Sequence, residues 1–214
     1  MTENCGAVTT GVDPDGPQDS VGKARPGCEV KIHPETQEIL FQVPYMMTGY
    51  YKDPEKTAEV LIDGWMHSGD RGTMDSNGNV RVIGRVKDAF KTSKGSFVTP
   101  NKMEEVFMEN DHIEQVCVVG LGMPQPLALI NLSEIGLGVD KESAAQSIQE
   151  SISKVNSKCA KYEMISTVVI QKEEWSMENE LLTPTLKVKR GKIDDKFSMQ
   201  YLSWLEAEEA IIWA

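Results

Sequence analysis

The order of predicted secondary-structure elements changes near Arg85, and this change limits the possible folds more than any other feature of the sequence. Before it, the segments CEVKIH (residues 28–33) and EILFQV (residues 38–43) flank a polar turn and partly alternate apolar with polar residues, which is typical of a β-hairpin. A second hairpin is predicted around the turn DSNG, in which Gly78 suits a positive φ. After Arg85, helical patterns alternate with apolar strands, so the two parts differ in architecture.

Helix starts are predicted on both sides of this change. Asp53 followed by Pro54 indicates an N-cap and the first position of a short helix that runs through Leu61. In the second part, Thr99 and Pro100 predict the capped start of another helix. The face of that helix that we expect to be buried carries Met103, Val106 and Phe107.

The second part has the element order β-α-β-β-α-β-α, which is typical of a compact α+β unit. The three strands that follow its first helix are IEQVCVVGL, LALINLS and ISTVVIQ, and its longer helices cover about residues 141–160 and 191–209, as judged from apolar spacing. We therefore predict an α+β protein with a β-rich domain at residues 1–85 and a small α+β domain at residues 86–214. A chain of 214 residues with 40% apolar content is long enough for two small domains.

Charge and cysteine content exclude several classes of protein. The formal net charge of −11 makes a broad nucleic-acid surface improbable. No apolar run approaches the roughly 18 residues that a transmembrane helix needs. The 4 cysteines are far apart and form no C-x-x-C pair, which argues against a zinc site and fits reduced thiols in a cytosol. We therefore expect a cytoplasmic protein, either free or peripheral to a membrane.

Cations form two clusters against this acidic background. One contains Arg85, Lys87, Lys91 and Lys94, and the other contains Lys187, Lys189, Arg190 and Lys192. Such clusters are usually solvated surface. The alternative is a site for a small phosphorylated ligand, because local positive charge in an acidic protein suits a small anion better than a polymer.

Asp70 follows Ser68 and Gly69, so its carboxylate would leave a tight turn with both oxygens free to accept hydrogen bonds. The two hydroxyl groups of a ribose are matched donors for such a carboxylate. An Asp that caps its own turn is the simpler interpretation of these residues alone.

The other candidate residues each allow two interpretations. Arg85 could reach the same ribose or a phosphate, or it could be an exposed strand-end cation together with Lys87. Thr2 and Glu3 could contact a phosphate and a magnesium ion, or they could form a polar terminus. Lys187 lies in LLTPTLKVKRGK, where a lysine could neutralise charge on a transferring group or belong to a basic linker.

Four segments taken together resemble the adenylate-forming enzymes in order and approximate spacing, over nearly the whole chain. These segments are MTENCG, MMTGYYKDPEKTAEVLIDGWMHSGDRG, GRVKDAFKTSKGSFVTPNKMEEV and LLTPTLKVKR. This superfamily includes acyl-CoA synthetases, non-ribosomal adenylation domains and beetle luciferases. The segment FKTSKG and the ending L-T-P-T-x-K-x-K-R most resemble long-chain fatty-acid CoA ligases.

The resemblance implies a fold and roles for the first part of the chain. Residues 1–85 would be the β-rich remnant of a large AMP-binding domain, of which the N-terminal bulk is missing. Thr2 matches a threonine that contacts the α-phosphate, and Glu3 matches a glutamate associated with Mg²⁺. Asp70 matches the acid that holds the ribose hydroxyls, and Arg85 matches the arginine beside it.

In the same way, residues 86–214 would be the small, mobile C-terminal domain. Lys87 matches the hinge residue, Gly95 lies in the loop that approaches the pantetheine arm of CoA, and Lys187 matches the lysine that supports adenylation. Two departures from the family pattern occur. The sequence has Thr183-Pro-Thr-Leu-Lys187 where many members have Thr-x-x-Gly-Lys, and Ser68 replaces the commoner threonine.

The implied function is an ATP-dependent acid–thiol ligase of fatty-acid metabolism, with ATP/AMP, Mg²⁺ and CoA as cofactors and a fatty acid as substrate. The chain begins inside the threonine–glutamate motif, so we expect it to be the C-terminal part of such an enzyme and to be inactive alone. Two alternatives remain open at this point: an acyl-AMP ligase that delivers its product to an acyl-carrier protein, and a non-catalytic module that binds nucleotide or CoA.

Overall fold

The computed structural model of the protein describes residues 2–11 and 17–214. It contains two compact units, of which the first ends at Lys87 and the second extends from Asp88 to Ala214. Met1 and residues 12–16, which belong to the predicted β-rich domain, lie outside the described residues. Within the described ranges no helix is both long and apolar enough to cross a membrane.

Strands dominate the first unit, and strands and helices alternate in the second. The first unit contains β1 (Thr9–Thr10), β2 (Lys23–Ala24), β3 (Glu29–Ile32), β4 (Glu38–Gln42), α1 (Pro54–Val60), β5 (Leu61–Ile62), β6 (Trp65–Met74) and β7 (Val80–Arg85). The second contains β8 (Phe90–Lys91), β9 (Phe97–Val98), α2 (Asn101–Phe107), β10 (Ile113–Val119), β11 (Leu127–Leu132), α3 (Glu134–Leu137), α4 (Lys141–Asn156), β12 (Val168–Ile170), α5 (Arg190–Glu206) and β13 (Ile211–Trp213).

The main sheet of the first unit has the strand order β3-β4-β6-β5, with β7 also paired to β6. Both predicted hairpins are confirmed, because β3 pairs antiparallel with β4 and β6 pairs antiparallel with β7. Gly78, in the second turn, has a φ of +82°. The core of this unit is formed by Val8, Cys28, Phe41, Val43 and Met66.

Helix α1 begins where its residues indicate and ends one residue before the expected Leu61. The side chain of Asp53 accepts a hydrogen bond from the backbone N–H of Lys56 at 3.0 Å, and Pro54 occupies the first turn, where its missing N–H is not needed. The helix ends at Val60 because Leu61 is extended and begins β5. The predicted cap is therefore confirmed.

The second unit is built around a four-stranded sheet with the order β10-β11-β12-β13. Strand β11 shows why both faces are covered: Leu127 and Leu129 join the core on the α5 side, whereas Ala128 and Ile130 join the core on the side of α2 and α4. All four are 0% exposed. Complete burial of a Leu or Ile side chain contributes about 1.5–3 kcal/mol, so this strand is a main source of stability.

Two helix boundaries differ from the expectation. Helix α2 begins at Asn101 with Pro100 at the N-cap position, where Pro100 has helical dihedral angles (φ −66°, ψ −32°) and can offer no side-chain cap. The expected face is confirmed, since Met103, Val106 and Phe107 are buried. Helix α4 ends at Asn156, so Cys159 packs against the core from the segment that follows the helix.

The end of the chain also differs from the expectation. The three apolar strands named from the sequence correspond to β10, β11 and β12, and the structure adds the short pair β8–β9 and the strand β13, which pairs in parallel with β12. Helix α5 ends at Glu206 instead of continuing to about residue 209. The short apolar segment IIW becomes a strand because β12 offers it a free edge, which is a tertiary effect that local pattern does not reveal.

Candidate functional site

Asp70 and Arg85 face each other on adjacent strands of the first unit. They are register partners in the β6–β7 pair, and Arg85 Nη1 donates to Asp70 Oδ1 at 2.8 Å. In the described part of the chain, Asp70 Oδ2 accepts no hydrogen bond, so one carboxylate oxygen is available to a ligand hydroxyl. The two side chains are 28% and 58% exposed, and an ion pair this exposed contributes at most about 1 kcal/mol to stability.

A bend in β6 places the Asp70 carboxylate beside Arg85. Gly69 has a φ of +72°, a conformation that residues with a Cβ atom rarely adopt. Ser68 Oγ accepts a hydrogen bond from the Asp70 backbone N–H at 3.0 Å, and the Gly69 carbonyl accepts one from Val86 N–H at 2.8 Å. The bend is therefore held by the Ser68 side chain on one side and by the backbone of Val86, which follows β7, on the other.

Glu38 fixes this bend from the neighbouring strand, and sequence reasoning missed it. Its Oε1 accepts a hydrogen bond from Gly69 N–H at 2.7 Å, and His67 Nδ1 lies 2.8 Å from its Oε2. Glu38 is only 9% exposed. The signal available in the sequence was an acid at the start of an apolar strand, EILFQ, where burial of a carboxylate requires partners.

Replacing Glu38 with alanine should lower the free energy of unfolding by about 1–3 kcal/mol, because the Gly69 N–H and the His67 ring nitrogen lose their partner while partly buried. Urea denaturation measures this change, and faster hydrogen–deuterium exchange across residues 65–74 would locate it in β6. Glu38→Gln, which keeps the Oε1 acceptor, should lower the free energy of unfolding by less than Glu38→Ala does.

The control for this prediction is Glu29→Ala, which removes an exposed carboxylate from β3. It should leave both the unfolding free energy and the exchange rate near their original values. Equal effects of Glu38→Ala and Glu29→Ala would show that Glu38 does not hold the bend.

A cavity of about 310 Å³ lies next to Asp70 within the first unit. Its lining includes Asn4, Ser68, Asp70 and Phe41. Asn4 is 3% exposed, and its Oδ1 has no hydrogen-bond partner in the part of the chain that the structure describes. A buried acceptor of this kind is unusual, and it gives the cavity a polar group besides the Asp70 carboxylate.

Thr2 and Glu3 lie in a turn closed by a hydrogen bond from Cys5 N–H to the Thr2 carbonyl at 3.1 Å. Thr2 is exposed, whereas Glu3 Oε1 accepts a hydrogen bond from the Tyr50 hydroxyl at 3.0 Å. A backbone hydrogen bond and then this hydroxyl hold the pKa of the Glu3 carboxyl below its usual value, so Glu3 is ionised at neutral pH.

A metal ion at Glu3 would depend on other ligands. Among the described residues there is no group of three or more His, Cys, Asp or Glu side chains that could hold an ion. Mg²⁺ is often bound by one or two carboxylates together with substrate phosphates, so a single ionised carboxylate fits that mode of binding.

Lys87 and Gly95 lie near the start of the second unit. Lys87 is exposed and is the last residue of the first unit. Gly95 lies at an exposed turn between β8 and β9 with a φ of +81°, and its N–H donates to the Thr92 carbonyl at 2.9 Å. The turn is attached to its own unit by a hydrogen bond from Ser93 N–H to the Met123 carbonyl at 2.9 Å.

Lys187 lies in a tight loop of the second unit. Thr183 N–H donates to the Lys187 carbonyl at 2.8 Å, and Lys187 N–H donates to Thr183 Oγ1 at 3.0 Å. A β-bridge between Leu182 and Val188 closes the base of the loop, and Leu186 within it has a φ of +58°. The Lys187 side chain is exposed, so it can reach a ligand while its backbone is fixed.

The structure therefore brings two of the expected site residues into contact, Asp70 and Arg85. Thr2 and Glu3 belong to the same unit as this pair, whereas Gly95 and Lys187 belong to the other unit.

Residues 87–201 match the family described as AMP-binding enzyme C-terminal domain. Long-chain-fatty-acid–CoA ligase 5 of Rattus norvegicus is 35% identical over 191 residues, covering 80% of this chain and 28% of that protein. Long-chain-fatty-acid–CoA ligase 1 of Homo sapiens is 31% identical, covering 76% of this chain and 26% of that protein. The chain thus spans less than a third of the length of these relatives.

The solved structures that are similar to this chain include the following two. One is the adenylation domain of a carboxylate reductase from Mycobacterium chelonae, with a TM-score of 0.70, 22% identity and coverage of 90% of this chain and 34% of that one. The other is O-succinylbenzoate coenzyme A synthetase from Bacillus subtilis in complex with AMP, with a TM-score of 0.66, 22% identity and coverage of 91% and 40%. At these identities the similarity concerns the fold.

Proposed function

This chain belongs to the family of the AMP-binding enzyme C-terminal domain, and on that premise we propose that it forms the C-terminal part of an ATP-dependent long-chain fatty-acid CoA ligase. The observation that supports this proposal most directly is the Asp70–Arg85 pair, in which a partly exposed carboxylate keeps one oxygen available and has a cation beside it. The expected location is the cytoplasm, free or at a membrane surface.

The reaction has two steps. In the first, a carboxylate oxygen of the fatty acid attacks the α-phosphorus of ATP, the acyl-adenylate forms and pyrophosphate leaves. In the second, the thiol of CoA attacks the acyl carbonyl carbon, the thioester bond forms, AMP leaves and the thiol proton is released.

Asp70 and Arg85 would bind the nucleotide in both steps. Asp70 would accept hydrogen bonds from the ribose hydroxyls, and Arg85 would hold the carboxylate in place and reach the ribose or a phosphate oxygen. Glu38 would keep the bend at Gly69 in the conformation that presents Asp70. The Asp70–Arg85 and Glu38–Gly69 contacts exist without a ligand, so Asp70 would be held in place before the nucleotide binds, which would lower the entropic cost of binding.

Thr2 and Glu3 would act at the α-phosphate. The Thr2 hydroxyl would donate to a phosphate oxygen, and Glu3, together with the nucleotide phosphates, would hold Mg²⁺. When bound, the ion would supply positive charge next to the phosphate oxygens. The hydrogen bond from Tyr50 would keep Glu3 oriented and ionised.

The two steps would use different residues of the second half of the site. Lys187 would act in the first step, and Lys87 and Gly95 would act in the change to the second. Lys187 would neutralise negative charge that develops at the α-phosphate during adenylation. Rotation at Lys87 would then withdraw Lys187 and bring the Gly95 turn to the entry path of CoA. The absence of a side chain at Gly95 would leave room for the pantetheine arm, in addition to allowing the turn itself.

Replacing Asp70 with alanine in the full-length enzyme should raise the KM for ATP about tenfold to a hundredfold, because charge-assisted hydrogen bonds to the ribose, worth about 1.5–3 kcal/mol, would be lost. Steady-state pyrophosphate release at varied ATP measures this. Glu59→Ala, which removes an exposed carboxylate from α1, is the matched control and should leave the KM unchanged. An unchanged KM for ATP in Asp70→Ala would show that Asp70 does not bind the nucleotide.

The acceptor and the reaction itself can be tested with the unmodified full-length enzyme. Fatty-acid-dependent exchange of labelled pyrophosphate into ATP, followed by thioester formation with CoA, is the expected result. Transfer to an acyl-carrier protein but not to CoA would indicate an acyl-AMP ligase instead. Binding of AMP or CoA with neither exchange nor thioester formation would indicate a non-catalytic module.

A further inference from the structure

Arg190, which sequence analysis placed in a cluster of surface cations, is largely buried in the second unit. Its side chain is 17% exposed. Its Nη2 donates to Glu104 Oε1 at 2.6 Å, and its Nη1 donates to the Val118 carbonyl and lies 3.2 Å from Cys117 Sγ. A charge is tolerated in such a place only when it is paired and hydrogen-bonded, as it is here at Nη1 and Nη2, whereas Nε has no partner among the described residues.

Glu104 supplies the counter-charge for Arg190. Its Oε1 accepts hydrogen bonds from Arg190 Nη2 and from the Val118 backbone N–H, the latter at 2.7 Å, and its side chain is 15% exposed. Cys117 adds no negative charge, because burial raises the pKa of its thiol far above its usual value. The Arg190–Glu104 pair thus ties the start of α5 to α2 and to β10.

The segment that this pair fixes is the one that carries Lys187. Arg190 is the first residue of α5 and follows Lys187 by only three residues. Between them, Val188 forms a bridge with Leu182, and Lys189 N–H donates to the Leu181 carbonyl at 2.8 Å. Only two residues, Val188 and Lys189, separate Lys187 from Arg190, and both are bound to the facing segment at Leu181 and Leu182.

We propose that Arg190, held by Glu104, is the positioning residue for Lys187 in acyl-adenylate formation. This proposal rests on the function proposed above. The guanidinium fixes the start of α5 and, through it, the loop at residues 183–187, so that the Lys187 ammonium group meets the α-phosphate at a defined place. Arg190 itself touches neither nucleotide nor acyl group in this scheme.

The geometry requires arginine at this position. The two terminal guanidinium nitrogens donate hydrogen bonds to two different elements. Nη2 donates to the Glu104 carboxylate of α2, and Nη1 donates to the Val118 carbonyl of β10. A lysine keeps the charge but carries its three N–H donors on one nitrogen at the end of a flexible stem, so it cannot hold the two partners in the fixed planar geometry of a guanidinium. Arg190→Lys is therefore the variant that loosens the loop while keeping the buried charge paired.

The test uses the full-length enzyme and follows the two half-reactions separately, as pyrophosphate exchange and as thioester formation from synthetic acyl-adenylate and CoA. Arg190→Lys should lower kcat for exchange about tenfold to a hundredfold, because small misplacements of a catalytic group have effects of this size. Thioester formation should stay within about twofold, since Lys187 has left the site in that step. Glu104→Gln, which keeps the oxygen acceptor, should lower exchange less than Glu104→Ala.

Lys192→Gln is the matched control, because Lys192 belongs to the same cation cluster but forms an exposed pair with Glu180 at 3.3 Å. It should change neither half-reaction. Equal loss of both half-reactions in Arg190→Lys, or no loss in either, would overturn the positioning role. Two parallel measurements separate the possible failures: absence of fatty-acid-dependent exchange in the unmodified enzyme would overturn the proposed function itself, whereas unchanged exchange in Lys187→Ala would overturn the role of Lys187 and with it the positioning role of Arg190.

Discussion

Lys187→Ala in the full-length enzyme should form acyl-adenylate about a hundred times more slowly than the unmodified enzyme. The exposed ammonium group on a backbone-fixed loop is expected to meet charge that exists only as the α-phosphate reacts. Removing one such group typically costs roughly 3 kcal/mol of transition-state stabilisation, which corresponds to about a hundredfold in rate. Fatty-acid-dependent pyrophosphate exchange measures this step.

The same variant should still convert synthetic acyl-adenylate and CoA to thioester at close to the original rate. Its exchange reaction should lose kcat with little change in KM for ATP, because the lost interaction is made in the transition state. A large rise in KM with an unchanged kcat would instead indicate that Lys187 binds the ground state of the nucleotide.

Lys87→Pro should have the opposite effect, with strong loss of thioester formation and retention of exchange. Lys87 is the last residue of the first unit, and Val86 before it is tied to the sheet by a hydrogen bond to the Gly69 carbonyl at 2.8 Å. Rotation between the units would therefore use the dihedral angles of Lys87. Proline fixes φ near −65° and restricts the preceding residue as well, so one of the two arrangements becomes hard to reach.

Lys87→Ala is the control that distinguishes the effect of fixing the backbone φ from the effect of losing the lysine side chain. It retains the freedom of φ, so both half-reactions should continue at similar rates if Lys87 serves as a hinge. Equal loss of exchange and thioester formation in Lys87→Pro would mean that the substitution disturbs the fold instead of the rotation. Equal loss in Lys87→Ala and Lys87→Pro would assign the effect to the lysine side chain.

Features governed by neighbouring residues could be predicted from the sequence. The Asp53–Pro54 start of α1 depends on a side chain and a backbone N–H three residues apart, and the turn at Gly78 depends on a local φ. The pairing of Asp70 with Arg85 does not follow from the turn alone, because an irregularity between Arg71 and Gly72 shifts the register by one residue. Local chemistry was sufficient for the cap and for the turn.

Features governed by distant partners could not be predicted. Glu38 and Gly69 are 31 residues apart, and Arg190 and Glu104 are 86 residues apart. A charged residue in a basic segment is normally solvated, and only the fold reveals that Arg190 enters the interior. The resemblance to adenylate-forming enzymes indicated Lys187 but gave no reason for the rigidity of its loop.

Strand β13 has a consequence for the order in which the second unit can be made. Val168 of β12 pairs with Ile211 of β13, so this parallel contact closes a long stretch of chain that includes α5. Parallel pairing across such a separation is slow because the loop entropy is lost before the contact is gained. During synthesis on the ribosome, β12 therefore remains an open edge until residues 211–213 have emerged, and the nascent unit needs protection from other chains throughout that interval.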